Sequence, residues 1–414
     1  MPTRTIGRCQ SDGPPWPRQP SGRQPKLVGP HPPMKILYHH RTQAADGQYV
    51  HISELTHALE SLGHEIVMVG PGGNEKRRMD AGAGSGLRER LPAWLYELLE
   101  FGYSGLAFLK LWRACRRHKP DVLYERYNIF CLSGVWLKRL TGLPMALEIN
   151  APLYEERATH GTLSLKRLAH WTERTAWRAA DICLPVTNVL ADYVRAEGVP
   201  EDRIHIIPYG AGEPFLDGSA DGASVRARHG LEGRLVLGFT GFVRPWHGID
   251  KVIDLLAGDR LPPEAHLLIV GDGPARAELE AQAARLGVID QVTFTGVVQR
   301  DAVPHYVAAF DVALQPHVVA YASPLKLIEY LALGRAIVAP ATANIEEILT
   351  HGESGLLFDP GDTDAFAEAV VRLANDTALR ERLGQAALAL LRERNLTWRH
   401  NAERVVELFR QLGA

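Results

Sequence analysis

The chain alternates short apolar runs with amphipathic helical stretches, and it does so twice. From Met34 the runs KILYHH (35–40), HEIVMVGP (64–71), DVLYERY (121–127), PMALEINAP (144–152) and DICLPVT (181–187) read as strands. Between them GQYVHISELTHALESLG (47–63) and TERTAWRAA (172–180) carry helical periodicity. A break rich in Gly, Pro and Asp follows over residues 206–224. The alternation then restarts with RLVLGFTGFV (234–243), HLLIVGDG (266–273), QVTFTGVV (291–298), DVALQP (311–316) and RAIVAP (335–340). Continuous apolar strands separated by helices predict parallel sheets covered on both faces. The expected fold class is therefore α/β, with two doubly wound, Rossmann-like domains of similar size facing each other across a cleft. Ligands of such sheets bind beyond the carboxyl ends of the strands.

Length agrees, since 414 residues exceed what one hydrophobic core holds. The expected boundaries are 34–210 for the N-terminal domain and 211–395 for the C-terminal domain. A last helical segment, 396–414, is expected to pack back on the first domain. Residues 1–33 hold nine prolines, five Lys/Arg and one acidic residue without apolar periodicity. They read as a disordered basic tail or a mis-called start ahead of Met34. They contain no apolar core of a secretory signal, and no apolar run reaches transmembrane length.

A formal charge of −2 speaks against nucleic-acid binding. Cys9, Cys115, Cys131 and Cys183 are scattered, with no CxxC spacing. That spacing argues against a zinc site or a disulfide framework and suits a reducing cytoplasm. GDGPARAEL (271–279) resembles part of a dinucleotide fingerprint, but Arg276 fills its third glycine position, so a plain strand-to-helix turn is expected. GAGSG (82–86) follows no strand and reads as a loop. DTD (362–364) precedes a helix, where an aspartate is an N-cap. No metal site is expected.

SPLKLIEYLALG (323–334) carries the most chemistry. Ser323 and Pro324 suit a helix start, and Gly334 a helix stop. The helix is apolar nearly all round, yet Glu329 lies among the apolar positions and Lys326 stands in the first turn. The first amides, at Leu325 and Lys326, together with the Lys326 ammonium favour an anion such as a diphosphate. One turn further in, Glu329 offers acceptors to the hydroxyls of a ribose. Pairing of Glu329 with a buried arginine explains the same residue equally well.

Taken in order, DGQYVHISELTHALESLGHEIVMVGP, DICLPVTNVLADYV, IHIIPYG, LLIVGDGPARAELE, VTFTGVV, DVALQP, SPLKLIEYLALGRAIVAP and EEILTHGESGLLFDPGD resemble the retaining, nucleotide-sugar-dependent glycosyltransferases of family four. The resemblance covers about 350 residues and implies the GT-B fold. It implies transfer of a sugar from a nucleoside diphosphate sugar to a hydroxyl of a glycan or lipid-linked acceptor, with retention and without a required metal or cofactor. Cell-envelope polysaccharide or glycolipid synthesis would be its setting. Glu329 matches the second glutamate of the family signature, and Tyr321 stands where the first belongs. The family's phosphate-binding Arg and Lys fall on Phe242 and His247 of GFVRPWHG, so Arg244, His247 and Lys326 are expected to replace that charge. Gly47 matches a donor-side glycine, and Ser323 and Leu325 complete the donor set. Asn150 holds the place of a histidine near the reacting sugar and joins Lys326 and Arg244 as catalytic candidates. Glu125, Arg126, Glu148 and Asn150 are the acceptor or sugar candidates, with loop capping as the alternative for each. Glu347 matches a later family glutamate expected to play a supporting role.

A nucleotide-sugar epimerase on the same fold and a non-catalytic sugar-nucleotide-binding protein stay open as alternatives. Residues 94–119 join six aromatics to the basic run RACRRHK. They offer a peripheral contact with the inner face of a membrane. Gly102 and Gly105 are expected to break this stretch into a bent helix pair, which would favour simple packing on the sheet.

Overall fold

The computed structural model describes residues 32–42, 47–71, 91–159, 161 and 163–413. The proposed tail, apart from Pro32 and Pro33, and the GAGSG loop lie outside the described residues. The first sheet contains β1 (Lys35–His39), β2 (Glu65–Val69), β3 (Val122–Arg126), β4 (Met145–Ile149) and β5 (Ile182–Pro185). All of its pairings are parallel, in the order β2-β1-β3-β4-β5. The second sheet contains β6 (Leu235–Thr240), β7 (Ala265–Val270), β8 (Val292–Phe294), β9 (Val312–Leu314), β10 (Ala336–Pro340) and β11 (Leu356–Phe358). It too is parallel, in the order β11-β10-β9-β6-β7-β8. Strand order reverses between β1 and β3 in the first sheet and between β6 and β9 in the second. Those two points are where open α/β sheets leave a ligand crevice.

Around the first sheet lie α1 (Gly47–Ser61), α2 (Ala93–His118), α3 (Ser133–Thr141), α4 (Leu153–Thr159), α5 (Lys166–Ala179) and α6 (Asn188–Ala196). Around the second lie α7 (Gly222–His229), α8 (Ile249–Leu256), α9 (Arg276–Arg285), α10 (Val303–Ala308), α11 (Leu325–Ala332), α12 (Ala343–Glu346), α13 (Thr363–Asn375) and α14 (Thr377–Arg394). Side chains alternate across each strand, so each sheet has a core on both faces. The last helix, α15 (Trp398–Gln411), belongs to the core of the first sheet. Its Trp398, Ala402, Val405, Val406 and Phe409 pack with Ile52, Leu55 and Leu59 of α1. Full burial of a side chain such as Phe409 is worth about 1.5–3 kcal/mol.

Two local expectations are corrected. α2 is one continuous helix of 26 residues, and neither Gly102 nor Gly105 breaks it. Its Ala107 and Leu111 are buried against the sheet, and this tertiary packing overrides the low helix propensity of glycine. In α11 the N-cap is Pro324, with no side-chain cap, so Ser323 does not cap the helix. The Ser323 hydroxyl instead accepts the Tyr209 amide at 3.1 Å.

The GDG turn leads from β7 toward α9. Gly271 has φ 138°, and a Cβ there would overlap the carbonyl of Gly241. Backbone thus runs against backbone at the carboxyl ends of β6 and β7, which only glycine permits. Asp362 caps α13 by accepting the amides of Asp364 and Ala365, as its sequence position predicts.

Candidate functional site

At the β6/β9 crevice the loop after β6 meets the first turn of α11. Lys326 Nζ lies 3.7 Å from the centre of the Phe239 ring. A Cβ added to Gly241 would come within 3.3 Å of the same nitrogen. Burial pushes the Lys326 ammonium down to about 7, and the charge of Glu329 only partly offsets this. A cation held next to a helix N-terminus with so little compensation is prepared for an anionic ligand. Arg244, exposed, stacks on Phe242 at 5.0 Å. Among the described residues no carboxylate forms an ion pair with it.

His247 is buried in the same loop, 5.2 Å from the Phe239 ring and 4.1 Å from that of Trp246. Burial, then the charges of Lys326, Arg244 and His317, push it down to about 3. It is therefore neutral near pH 7, which corrects the expectation that it replaces lost charge. Its Nδ1 accepts the Arg244 amide at 3.1 Å, and this assigns the remaining proton to Nε2 as a hydrogen-bond donor.

Glu329 is buried, and the structure brings to it an arginine that the sequence did not single out. Arg300 Nη1 lies 2.5 Å from Glu329 Oε1, and the same guanidinium stands 3.3 Å from Glu54 Oε1 on α1. Burial raises the Glu329 carboxyl above its ordinary value, and Arg300 opposes that shift. The arginine reading of Glu329 is thus realised in this structure. One carboxylate has several acceptor positions, so a second partner is compatible with it.

The first-domain candidates fall into two groups. Arg126 and Glu148 are buried and paired with each other. His51 Nδ1 lies 2.7 Å from Arg126 Nη1, and Tyr124 donates its hydroxyl to Glu148 Oε2 at 2.7 Å. Burial pushes the Glu148 carboxyl up, but His51, Arg126, Asn150 and Tyr124 together bring it below its ordinary value. Burial likewise takes His51 down to about 4. Asn150, half-buried, donates to Glu148 at 2.5 Å and accepts the Tyr209 hydroxyl at 2.9 Å. Through Tyr209, whose amide meets Ser323, Asn150 is linked to the start of α11.

Glu125 is not part of that network. The pleat turns it to the other face of the sheet, beside His39 and Cys131, so the four candidates do not form one constellation. Gly47 opens α1.

Further contacts join the two sheets. Tyr321 donates its hydroxyl to Glu156 Oε2 at 2.9 Å, and its carbonyl accepts the Thr187 hydroxyl at 2.8 Å. Glu347 accepts the amides of Asn188 and Val189 at 2.9 and 3.1 Å, capping α6 from the other domain. Sequence reading missed Arg300, Glu54, His51 and Tyr209. No local spacing marks them, because their partners lie on other elements.

Residues 46–210 match the glycosyl transferase 4-like domain, and residues 223–389 match the glycosyl transferases group 1 family. The chain is 28% identical over 262 residues to an alpha-D-kanosaminyltransferase of Streptomyces kanamyceticus, covering 61% of this chain and 67% of that protein. It is 26% identical to a D-inositol 3-phosphate glycosyltransferase of Xylanimonas cellulosilytica, covering 89% and 93% of the two chains. Among solved structures it resembles Anabaena Alr3699/HepE in complex with UDP and glucose, with a TM-score of 0.70 at 18% identity. That likeness covers 91% of this chain and all of the other.

Proposed function

We propose, for a chain that belongs to the glycosyltransferases and joins a 4-like domain to a group 1 domain, that the donor is a nucleoside diphosphate sugar and that transfer proceeds with retention. The observation that carries this reading is the buried Lys326 ammonium at the β6/β9 crevice, beside the N-terminus of α11 and one turn from Glu329. The diphosphate lies against Lys326, Arg244, the His247 Nε2–H and the Leu325 and Lys326 amides. The ribose meets Glu329. Negative charge grows on the leaving diphosphate in the transition state, and donors already in place stabilise it without reorganising. These protein groups supply the compensating charge, so no metal ion or other cofactor enters the proposed step.

No protein nucleophile is invoked. The acceptor hydroxyl approaches the anomeric carbon on the face the diphosphate leaves. Its proton passes to the departing phosphate oxygen as the new glycosidic bond forms. Asn150, the most accessible of the first-domain candidates, borders the reacting sugar. Arg126 and Glu148 hold it in place. Tyr321 joins the domains, a role that fits a residue unable to act as the family's carboxylate.

The acceptor is a glycan or a lipid-linked hydroxyl of the cell envelope, and the protein works at the inner face of the membrane. α2 supports this reading. It exposes Trp94, Leu98, Leu99, Leu106 and Leu109, followed by exposed Arg113, Arg116, Arg117 and Lys119. Such a face lies on a bilayer rather than across it. Among the described residues no helix is long and apolar enough to cross a membrane. A small polyol is the second reading of the acceptor, favoured by the relatives named for D-inositol 3-phosphate.

The test is incubation of the purified chain with several nucleotide sugars in three arms: a cell-envelope lipid extract, inositol phosphate, and no acceptor. A glycosylated product whose anomeric coupling matches the donor supports the proposal. A changed sugar in the arm without acceptor identifies an epimerase. Donor binding with no product in any arm identifies a binding protein.

A further inference from the structure

Three side chains from separate parts of the chain converge at the β1/β3 crevice of the first sheet. His39 ends β1, Glu125 is its neighbour in register on β3, and Cys131 lies in the loop before α3. Each is at most 3% exposed. A ring nitrogen of His39, a Glu125 carboxylate oxygen and Cys131 Sγ all lie within 4.8 Å of one another. His39 Nδ1 is 3.3 Å from Glu125 Oε2, and Cys131 Sγ is 3.9 Å from Glu125 Oε1. Among the described residues neither His39 Nδ1 nor Glu125 Oε2 makes a hydrogen bond.

We propose that His39, Glu125 and Cys131 form a binding site for a divalent transition-metal ion, with zinc the ion best suited to the donor set. One imidazole nitrogen, one carboxylate oxygen and one thiolate match a borderline-soft cation. Zinc–ligand bonds of about 2.0–2.3 Å in a tetrahedron place donors roughly 3.3–3.8 Å apart, near the 3.3 and 3.9 Å at which the Glu125 carboxylate stands from His39 and Cys131. Three protein ligands leave a fourth position open. The ion takes the place of the Cys131 proton on binding. Ser133 Oγ, 3.2 Å from the sulfur, is placed to support it. Gly134 makes room, since a Cβ there would overlap Glu125 Oε2.

A nucleophilic triad does not fit the same atoms. In a triad the imidazole uses one nitrogen toward the carboxylate and the other toward sulfur. Here, among the described residues, the Cys131 sulfur meets Glu125 and Ser133 and makes no hydrogen bond to the imidazole. The site lies across the sheet from the Arg126–Glu148 pair and in the other domain from Lys326, so it is independent of the donor reading. The competing counter-charge is Arg41, whose field reaches Cys131. Its guanidinium stacks on Tyr103 at 4.7 Å, and among the described residues it forms no ion pair with Glu125.

The test uses the full chain, stripped with a chelator and titrated with cobalt(II). A near-ultraviolet thiolate-to-cobalt band and visible d–d bands should saturate at one equivalent and be displaced by zinc. Cys131→Ser and His39→Ala should abolish the thiolate band while circular dichroism shows a folded chain. Should either fail to fold, the Cys9→Ser, Cys115→Ser double variant must keep the full band. A folded wild-type chain without a thiolate band at saturating cobalt overturns the proposal, and leaves His39 and Glu125 as a pair balanced by Arg41. A band that survives in folded Cys131→Ser, or is lost in the folded double variant, overturns it equally.

Discussion

Arg300 holds Glu329 from the second domain while also touching Glu54 of the first, so one guanidinium joins the proposed ribose carboxylate to α1. Removing one partner of a buried pair leaves an uncompensated charge. Arg300→Ala should destabilise the chain by about 2–4 kcal/mol, short of a fully buried pair because Arg300 is partly exposed. Thermal unfolding checks this. Glu329→Gln should also weaken a ribonucleotide more than its 2′,3′-dideoxy analogue. If both analogues weaken alike, Glu329 serves the fold only.

Lys326 makes donor binding pH-dependent. Its pKa is near 7 in the free protein, and a bound diphosphate must raise it. A group whose pKa rises on binding contributes affinity fully below the lower value and loses it as pH climbs. Diphosphate affinity should therefore fall up to tenfold per unit from pH 7 to 9. In the unliganded chain the sign reverses. The unfolded state holds the Lys326 proton up to about 10.4, so stability should rise with pH between about 7 and 10.4. Lys326→Met should flatten both profiles, as calorimetry and denaturant titration at several pH values will show.

Tyr321 faces Glu156 across the domain junction. Tyr321→Phe removes one hydrogen bond and should lower stability by about 0.5–1.5 kcal/mol with little change in nucleotide affinity. Tyr321→Glu sets two carboxylates against each other. It should lower the melting temperature further, and Glu156→Gln should recover part of that loss. A Tyr321→Glu chain as stable as wild type would contradict this placement.

The exposed face of α2 should bind anionic vesicles at low salt and release them at high salt. Replacing Arg113, Arg116, Arg117 and Lys119 with Ser should abolish co-sedimentation. Failure of the folded wild-type chain to bind anionic or neutral vesicles would favour a small polyol acceptor.

Strand and helix periodicity made both sheets legible, because burial on two faces leaves long apolar runs. SPLKLIEY exposed its own conflict, a carboxylate and an ammonium within an apolar helix. The sequence did not disclose what resolves that conflict. Arg300 lies 29 residues from Glu329 and Glu54 lies 246 residues from Arg300, and no period encodes such distances. The Ser323 cap failed because α11 starts one residue later, with Pro324 at the N-cap, and the Ser323 hydroxyl meets the Tyr209 amide instead. The His247 charge failed because composition counts a histidine but not its burial. Cys131 has no CxxC spacing, since its neighbours His39 and Glu125 arrive from β1 and β3.

The central claim is a diphosphate held by Lys326. Isothermal titration of wild-type and Lys326→Ala chains with a nucleoside diphosphate and with the matching nucleoside tests it most directly. The diphosphate should weaken by about 1–3 kcal/mol, the scale of a charge-assisted hydrogen bond, and the nucleoside by almost nothing. Equal losses for the two ligands, or none for either, would contradict it.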